Sequence, residues 1–322
     1  MRGEYKIRVK NNRNSYSFTL RRNITILRGD SGRGKTTLYE MIAEYNRYGK
    51  ESGVFISSDR ELLAVSGDNW QDTIVANPQK IIVIDEDSAF IRSDEFAKVV
   101  KRSDNYYLLI TRNYLTNLPI SVDEIYQLTG GKNNRFVKIY EDTDKMYNKP
   151  PKSYLPFKPD VIITEDSNSG YQFFNGIAQR IDVECISAEG KSNIFKKINE
   201  YKGKNVVAIA DGAAFGTEME AVVRCQSLQP QKIALYLPES FEWIILRSGI
   251  VEVDRDMLEN PEQYADSKTY MSWEQYFTEL LIKNSAKKEY MKYSKKKLKE
   301  YYLHENSIDA IKSIMNGIDF NK

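Results

Sequence analysis

Apolar and polar residues alternate along Tyr5-Lys6-Ile7-Arg8-Val9 and again along Tyr16-Ser17-Phe18-Thr19-Leu20, with a polar stretch at 11–14 between them. Period-two alternation around an Asn-rich turn predicts a β-hairpin. A short, wholly apolar run at 24–27 follows, then a glycine-rich loop, then a pattern that predicts a helix over 36–48. Further runs at 54–57, 81–85 and 107–111 have the composition of buried strands and are separated by segments long enough for helices. That rhythm predicts a mainly parallel sheet. Residues 125–129 and 136–140 flank a polar stretch at 130–134 and are expected to close the first half as a hairpin.

Pro150, Pro151, Pro156 and Pro159 lie among polar residues over 143–159, the strongest candidate boundary in the chain. Beyond it the strand–helix rhythm restarts. Strands are predicted at 161–164, 183–187, 206–210 and 233–237, with helices near 170–179, 194–201 and 217–226. From Pro261 onward the pattern is helical and rich in lysine and tyrosine. The expected fold class is α/β: a first domain over 1–145, a Pro-rich linker over 146–159, a second α/β domain over 160–255 and a basic helical extension over 256–322. No repeat of fixed period is present.

Composition narrows the function classes. Of 322 residues, 41% are hydrophobic, so each half can bury a core. His304 is the one histidine, which excludes any site needing two. Cys185 and Cys225 have no metal-ligand spacing and read as reduced core thiols. No apolar run approaches the ~18 residues of a membrane span, and a soluble, cytoplasmic protein without membrane contact is expected. The net charge of +2 hides a lysine-rich stretch at 283–300. There Lys287, Lys288, Lys292, Lys295, Lys296, Lys297 and Lys299 interleave with Tyr290 and Tyr293, with Tyr301 and Tyr302 just beyond. This composition suits DNA or RNA, the lysines meeting phosphates and the tyrosines stacking on bases. A solvated amphipathic helix has the same composition and no partner.

The strongest chemical signal is Gly29-Asp30-Ser31-Gly32-Arg33-Gly34-Lys35-Thr36, a complete GxxxxGK[ST] phosphate loop running into Thr37. Glycines let backbone N–H groups curl around phosphates, and Lys35 reaches the β- and γ-phosphates. The Thr36 hydroxyl ligates magnesium, and the following helix directs its positive end at the anion. The expected ligand is ATP with Mg2+. The run Ile81-Ile82-Val83-Ile84-Asp85-Glu86-Asp87 resembles a Walker B strand, in which Asp85 holds magnesium through water and Glu86 polarises the attacking water. Arg112, after the strand over 107–111, stands where some ATPases carry a γ-phosphate sensor; a surface salt bridge is its alternative role. GTP is disfavoured by the lack of an Asn-Lys-x-Asp guanine reader. The hairpin-then-loop opening is similar to ATPases of the ABC type, but no LSGGQ-like signature is present and no histidine follows the second acidic motif. Hydrolysis is therefore expected to be slow or to need a partner.

In the second half, Ile163-Thr164-Glu165-Asp166, then Ile186-Ser187-Ala188-Glu189-Gly190-Lys191-Ser192-Asn193-Ile194, then Ala210-Asp211-Gly212-Ala213 resembles a topoisomerase–primase (Toprim) domain over roughly 160–240. The order of elements is similar to the overcoming-lysogenization-defect nucleases, in which an ATPase precedes a Toprim domain. The resemblance implies a P-loop NTPase domain followed by a Toprim-like domain, with Glu165 and Asp211 as catalytic carboxylates; beside it, the strand-end position of Glu165, Asp166 and Asp211 makes these three the expected Mg2+ ligands. It implies an ATP-regulated nuclease of a mobile element or an antiviral defence system. Two positions depart from the family pattern, Ala213 and Ser169 standing where acids are expected. Asp166, Glu218 and Glu220 are candidate substitutes, and Glu239 is a further candidate ligand. A degenerate domain that recruits a partner or nucleic acid under ATP control is the alternative. The partner subunit, the oligomeric state and the nucleic-acid substrate stay open.

Overall fold

The computed structural model describes residues 1–30, 32–140, 158–228, 233–315 and 317–321. The chain divides into two units. One comprises Met1–Glu141 with Asn260–Ser272, the other Asp142–Glu259 with Trp273–Lys322. The expected linker over 146–159 lies outside the described residues except for 158 and 159. Residues 260–272, placed by sequence in a basic extension, group instead with the first unit. There the Asn23 side chain donates to the Met271 carbonyl at 2.9 Å and the Gly3 amide donates to the Glu262 carbonyl at 2.7 Å.

The first unit contains β1 (Tyr5–Lys10), β2 (Ser15–Leu20), β3 (Ile24–Leu27), α1 (Lys35–Tyr48), β4 (Phe55–Ser57), β5 (Leu62–Ala64), α2 (Trp70–Ala76), β6 (Ile81–Ile84), α3 (Asp94–Arg102), β7 (Tyr106–Ile110), β8 (Ile125–Leu128) and β9 (Asn133–Lys138). The strands form one mixed sheet in the order β4-β1-β2-β9-β8-β3-β7-β6-β5. The β1–β2 hairpin closes on Asn11, whose side-chain oxygen accepts from the Asn14 amide at 2.8 Å. Its register, Tyr5↔Leu20 to Lys10↔Ser15, puts Tyr5, Ile7 and Val9 on one buried face.

Strands β8, β3, β7, β6 and β5 run parallel. Successive side chains in a strand point to opposite faces, so a fully apolar strand buries both. Leu27, Val83, Leu108 and Ile110 meet Leu38, Met41 and Ile42 of α1 on one face. Ile24, Ile26, Ile82, Ile84, Tyr107 and Leu109 meet Ile74 of α2 and Phe96, Val99 and Val100 of α3 on the other. Burying each such side chain stabilises by about 1.5–3 kcal/mol relative to exposure. One consequence bears on function: β3, β7 and β6 are neighbours with their C-terminal ends at one edge.

One expectation fails in this unit. The run 54–57 is not a core strand: β4 pairs antiparallel with β1 at the sheet margin, and Phe55 is exposed. The buried parallel position at the other end is taken by β5, only three residues long.

The second unit contains β10 (Val161–Thr164), α4 (Ser169–Ile181), β11 (Glu184–Ser187), α5 (Ile194–Glu200), β12 (Val206–Ile209), α6 (Met219–Leu228), β13 (Ile233–Tyr236), α7 (Phe241–Arg247), α8 (Asp256–Glu259), α9 (Trp273–Ser285), α10 (Glu300–Leu303) and α11 (Glu305–Ile314). Its four strands are all parallel, in the order β11-β10-β12-β13. Phe173 and Phe174 of α4 pack on Phe241, and α7 packs against α9 and α11. The lysine-rich segment is not the continuous helix its composition suggested. Between α9 and α10 it carries a single 3-10 turn, Glu289–Met291, because Tyr293 turns inward and its amide donates to the buried Ser285 hydroxyl at 2.9 Å.

The architecture is thus α/β, with a large mixed sheet and a smaller parallel one. Among the described residues no helix is long and apolar enough to cross a membrane.

Candidate functional site

The edge where β3, β7 and β6 end collects three sequence-distant motifs. From β3 the chain enters the glycine loop. Gly29, Gly32 and Gly34 all have positive φ, and a Cβ on Gly34 would meet the Tyr16 hydroxyl at 2.8 Å. Only glycine fits that turn without strain. The Tyr16 hydroxyl donates to the Gly34 carbonyl at 2.9 Å, tying the loop to β2. Lys35 is buried, its ammonium donating to the Gly29 carbonyl at 2.6 Å and the Asp30 carbonyl at 2.7 Å. Burial and then the Arg112 guanidinium push the Lys35 pKa down, opposed by Glu86, Asp30 and Asp85. A desolvated lysine held by loop carbonyls is the arrangement an anion would stabilise. Ser31 lies outside the described residues. Arg33 lies 3.6 Å from the Asp30 carboxylate.

From β6 the chain delivers Asp85, which is buried, and Glu86. Burial raises the Asp85 pKa; the nearby Glu86 amide and Thr36 hydroxyl oppose it. Its Oδ1 is buried and has no hydrogen-bond partner among the described residues. A buried carboxylate oxygen without a donor is costly, and a cation shared with the Thr36 hydroxyl would satisfy it. The donor set therefore fits magnesium. From β7 comes Arg112, whose Nε lies 3.0 Å from Glu86 Oε1. That is the salt bridge expected as the alternative to a sensor role for Arg112. Thr37 lies in the first turn of α1, beside the loop.

In the second unit, β10 and β12 are adjacent and bring Glu165 and Asp211 together. The Asp211 amide donates to Glu165 Oε2 at 3.0 Å. Gly212 permits this, since a Cβ there would meet the Leu237 carbonyl at 2.6 Å. Burial, with Glu274 and other carboxylates nearby, pushes Glu165 up to about 7, against the Asp211 amide and Lys191. Burial raises Asp211 well above the usual carboxylate range, reinforced by Glu274, Glu165 and Glu242. Lys191 donates to the Ala214 carbonyl at 2.8 Å.

The third expected ligand is engaged elsewhere. Asp166 accepts from the Asn168, Gly170 and Tyr171 amides and so caps α4. Of the candidate substitutes, Glu220 is exposed in the first turn of α6, while Glu218 accepts from Thr217 at 3.2 Å. Ala213 is buried, and the Ser169 hydroxyl is bonded to the Tyr293 hydroxyl at 2.6 Å. Glu239 follows β13, its carbonyl accepting from the Ala213 amide at 3.3 Å. Among the described residues no three His, Cys, Asp or Glu side chains come together as a group that could hold a metal ion.

Glu242 and Lys295, to which sequence reasoning gave no role here, line the pocket with Glu165 and Asp211, and Tyr293 and Glu274 hold them in place. Glu242 follows Ser240, whose hydroxyl caps α7 by accepting from the Trp243 amide at 3.2 Å. Tyr293 donates to Glu242 Oε1 at 2.7 Å, and Lys295 donates to Glu274 Oε1 at 2.7 Å. Glu242 follows a helix-cap pattern, and Tyr293 and Lys295 were hidden inside a basic run. Nothing around Glu274 in the sequence marks it.

A scan of the chain against protein-family models finds no match, and neither does a search of curated proteins.

Proposed function

We propose that the chain is a magnesium-dependent ATP-binding protein, a slow ATPase whose nucleotide state governs a Toprim-like second unit that works without a metal of its own. The observation that carries the nucleotide reading is the buried, undonated Asp85 oxygen beside Thr36 and the loop lysine. In this reading the loop amides and Lys35 bind the phosphates, and Thr36 with Asp85 holds magnesium. When bound, the ion neutralises charge on the β- and γ-phosphates. Glu86 accepts a proton from the attacking water, and Arg112 must leave Glu86 for that to happen. This last requirement, together with the missing ABC-type signature, supports slow turnover.

A second reading is a magnesium-dependent nuclease in the second unit. The adjacency of Glu165 and Asp211 at two strand ends favours it. The capping role of Asp166 and the lysine among the carboxylates weigh against it. The test measures phosphate release together with cleavage of plasmid and total tRNA, with magnesium or manganese and ATP. It compares wild type, Glu86→Gln and Glu165→Ala/Asp211→Ala. Slow phosphate release lost in Glu86→Gln, with intact nucleic acid throughout, is the expected result. Cleavage abolished by the carboxylate double variant would establish the nuclease instead.

A further inference from the structure

The segment from Tyr293 to Leu298 is fastened across the start of α4. The Ser169 amide donates to the Lys295 carbonyl at 3.0 Å, and Gln172 clasps the segment from both sides. Its Nε2 donates to the Lys296 carbonyl at 3.0 Å and its Oε1 accepts from the Leu298 amide at 2.8 Å. Tyr293 is buried and its hydroxyl donates to Glu242, so the 2.6 Å contact with Ser169 must be donated by serine. These bonds fix the backbone on either side of Lys295 and aim its side chain into the pocket lined by Glu165, Asp211 and Glu242. Its ammonium lies 2.7 Å from Glu274. Burial works against that charge, but Glu242, Glu274 and Asp211 outweigh it and hold the lysine firmly protonated.

We infer that Lys295 is the resident cation of this pocket, its ammonium paired with Glu274 and supplying the positive charge that a divalent ion would otherwise bring to Glu165, Asp211 and Glu242. The segment around it is a strap that closes the second unit to metal while docked. An ammonium is a point charge with three donors and accepts carboxylates at irregular angles. Magnesium demands near-octahedral oxygens at about 2.0–2.1 Å. With Lys295 in place the carboxylates form no three-acid group among the described residues; without its charge, the repulsion among Asp211, Glu165, Glu242 and Glu274 calls for another cation. Every residue involved belongs to the second unit, so the inference is independent of whether the first unit binds ATP.

The test is manganese binding followed by electron paramagnetic resonance, without nucleotide, in the Asp85→Asn background that silences the first unit. That protein is expected to bind no manganese tightly. Adding Lys295→Met is expected to create one site, with at least a roughly tenfold gain in affinity, lost again on adding Asp211→Asn. Should the methionine variant not fold, Lys295→Gln serves in its place. A strap variant, Ser169→Ala/Tyr293→Phe, which leaves every charge in place, is expected to admit manganese more weakly. Manganese bound at Asp211 with Lys295 present and the strap intact would overturn the inference. So would a folded lysine variant that gains no site.

Discussion

At the scale of single residues, the proposed nucleotide site turns on side chains that have lost water without gaining a full set of partners. Lys35 keeps two loop carbonyls and Asp85 has one bare oxygen. Lys35→Ala is expected to weaken ATP binding by roughly 10–100-fold, as loss of a charge-assisted hydrogen bond of about 1.5–3 kcal/mol implies. Isothermal calorimetry would check it, and unchanged affinity would count against the loop. Gly34→Ala meets the Tyr16 hydroxyl at 2.8 Å and a φ of 93°. It is expected to lower stability by about 1 kcal/mol or more. Adding Tyr16→Phe should restore only part of the loss, because the backbone strain stays. Full recovery in thermal unfolding would show that the clash alone mattered. Arg112→Ala removes a largely exposed ion pair, so stability should change by no more than about 1 kcal/mol, whatever happens to turnover.

At the scale of elements, the helix starts are set by short polar side chains, and the sequence announces some of them. Ser93 caps α3 by accepting from the Phe96 amide at 3.1 Å, and Asp94 and Glu95 follow in the first turn. Ser93→Ala is expected to cost about 1 kcal/mol in urea unfolding; no measurable change would mean another group takes over the cap. Ser240 starts α7 by the same device, with Glu242 in the first turn. Strands β3, β6, β7, β10, β12 and β13 were legible because a four- or five-residue apolar run is buried on both faces. Strand β5 was not, since Leu62-Leu63-Ala64 is too short to declare a period. Strand β4 misled because Val54, Phe55 and Ile56 look buried, yet Phe55 lies outward beneath Lys10, whose ammonium sits 5.0 Å from the ring. The lysine-rich segment misled for a related reason. Charge describes its surface, whereas its course is fixed by Tyr293 reaching Ser169 and Glu242, more than 50 residues away in sequence.

At the scale of the whole molecule, each unit buries a carboxyl group that is easier to protonate than to ionise. Glu124 accepts from the Thr25 hydroxyl at 2.7 Å and lies 3.8 Å from Arg22. Burial pushes it up to about 7 despite Arg22, as it does Glu165 in the second unit. The ordinary value of each is 4.5. Folding then takes up protons between about 4.5 and 7. The stability these groups contribute is full below 4.5 and lost as the pH rises through 7. Glu124→Gln removes that dependence, so the variant should gain on wild type from pH 5 to pH 8 by on the order of 2–3 kcal/mol. A constant difference in urea unfolding would contradict the shift. The phosphate loop and its acidic partner strand were legible in sequence as motifs. Their convergence depended on β7 lying between β3 and β6, which no local pattern states. The most direct test of the central claim is calorimetric titration of ATP, with and without magnesium, into wild type, Lys35→Ala and Asp85→Asn. Binding strengthened by magnesium in wild type, weak in Lys35→Ala, and present but indifferent to magnesium in Asp85→Asn is the expected result. No binding to wild type, or magnesium enhancement that survives in Asp85→Asn, would contradict it.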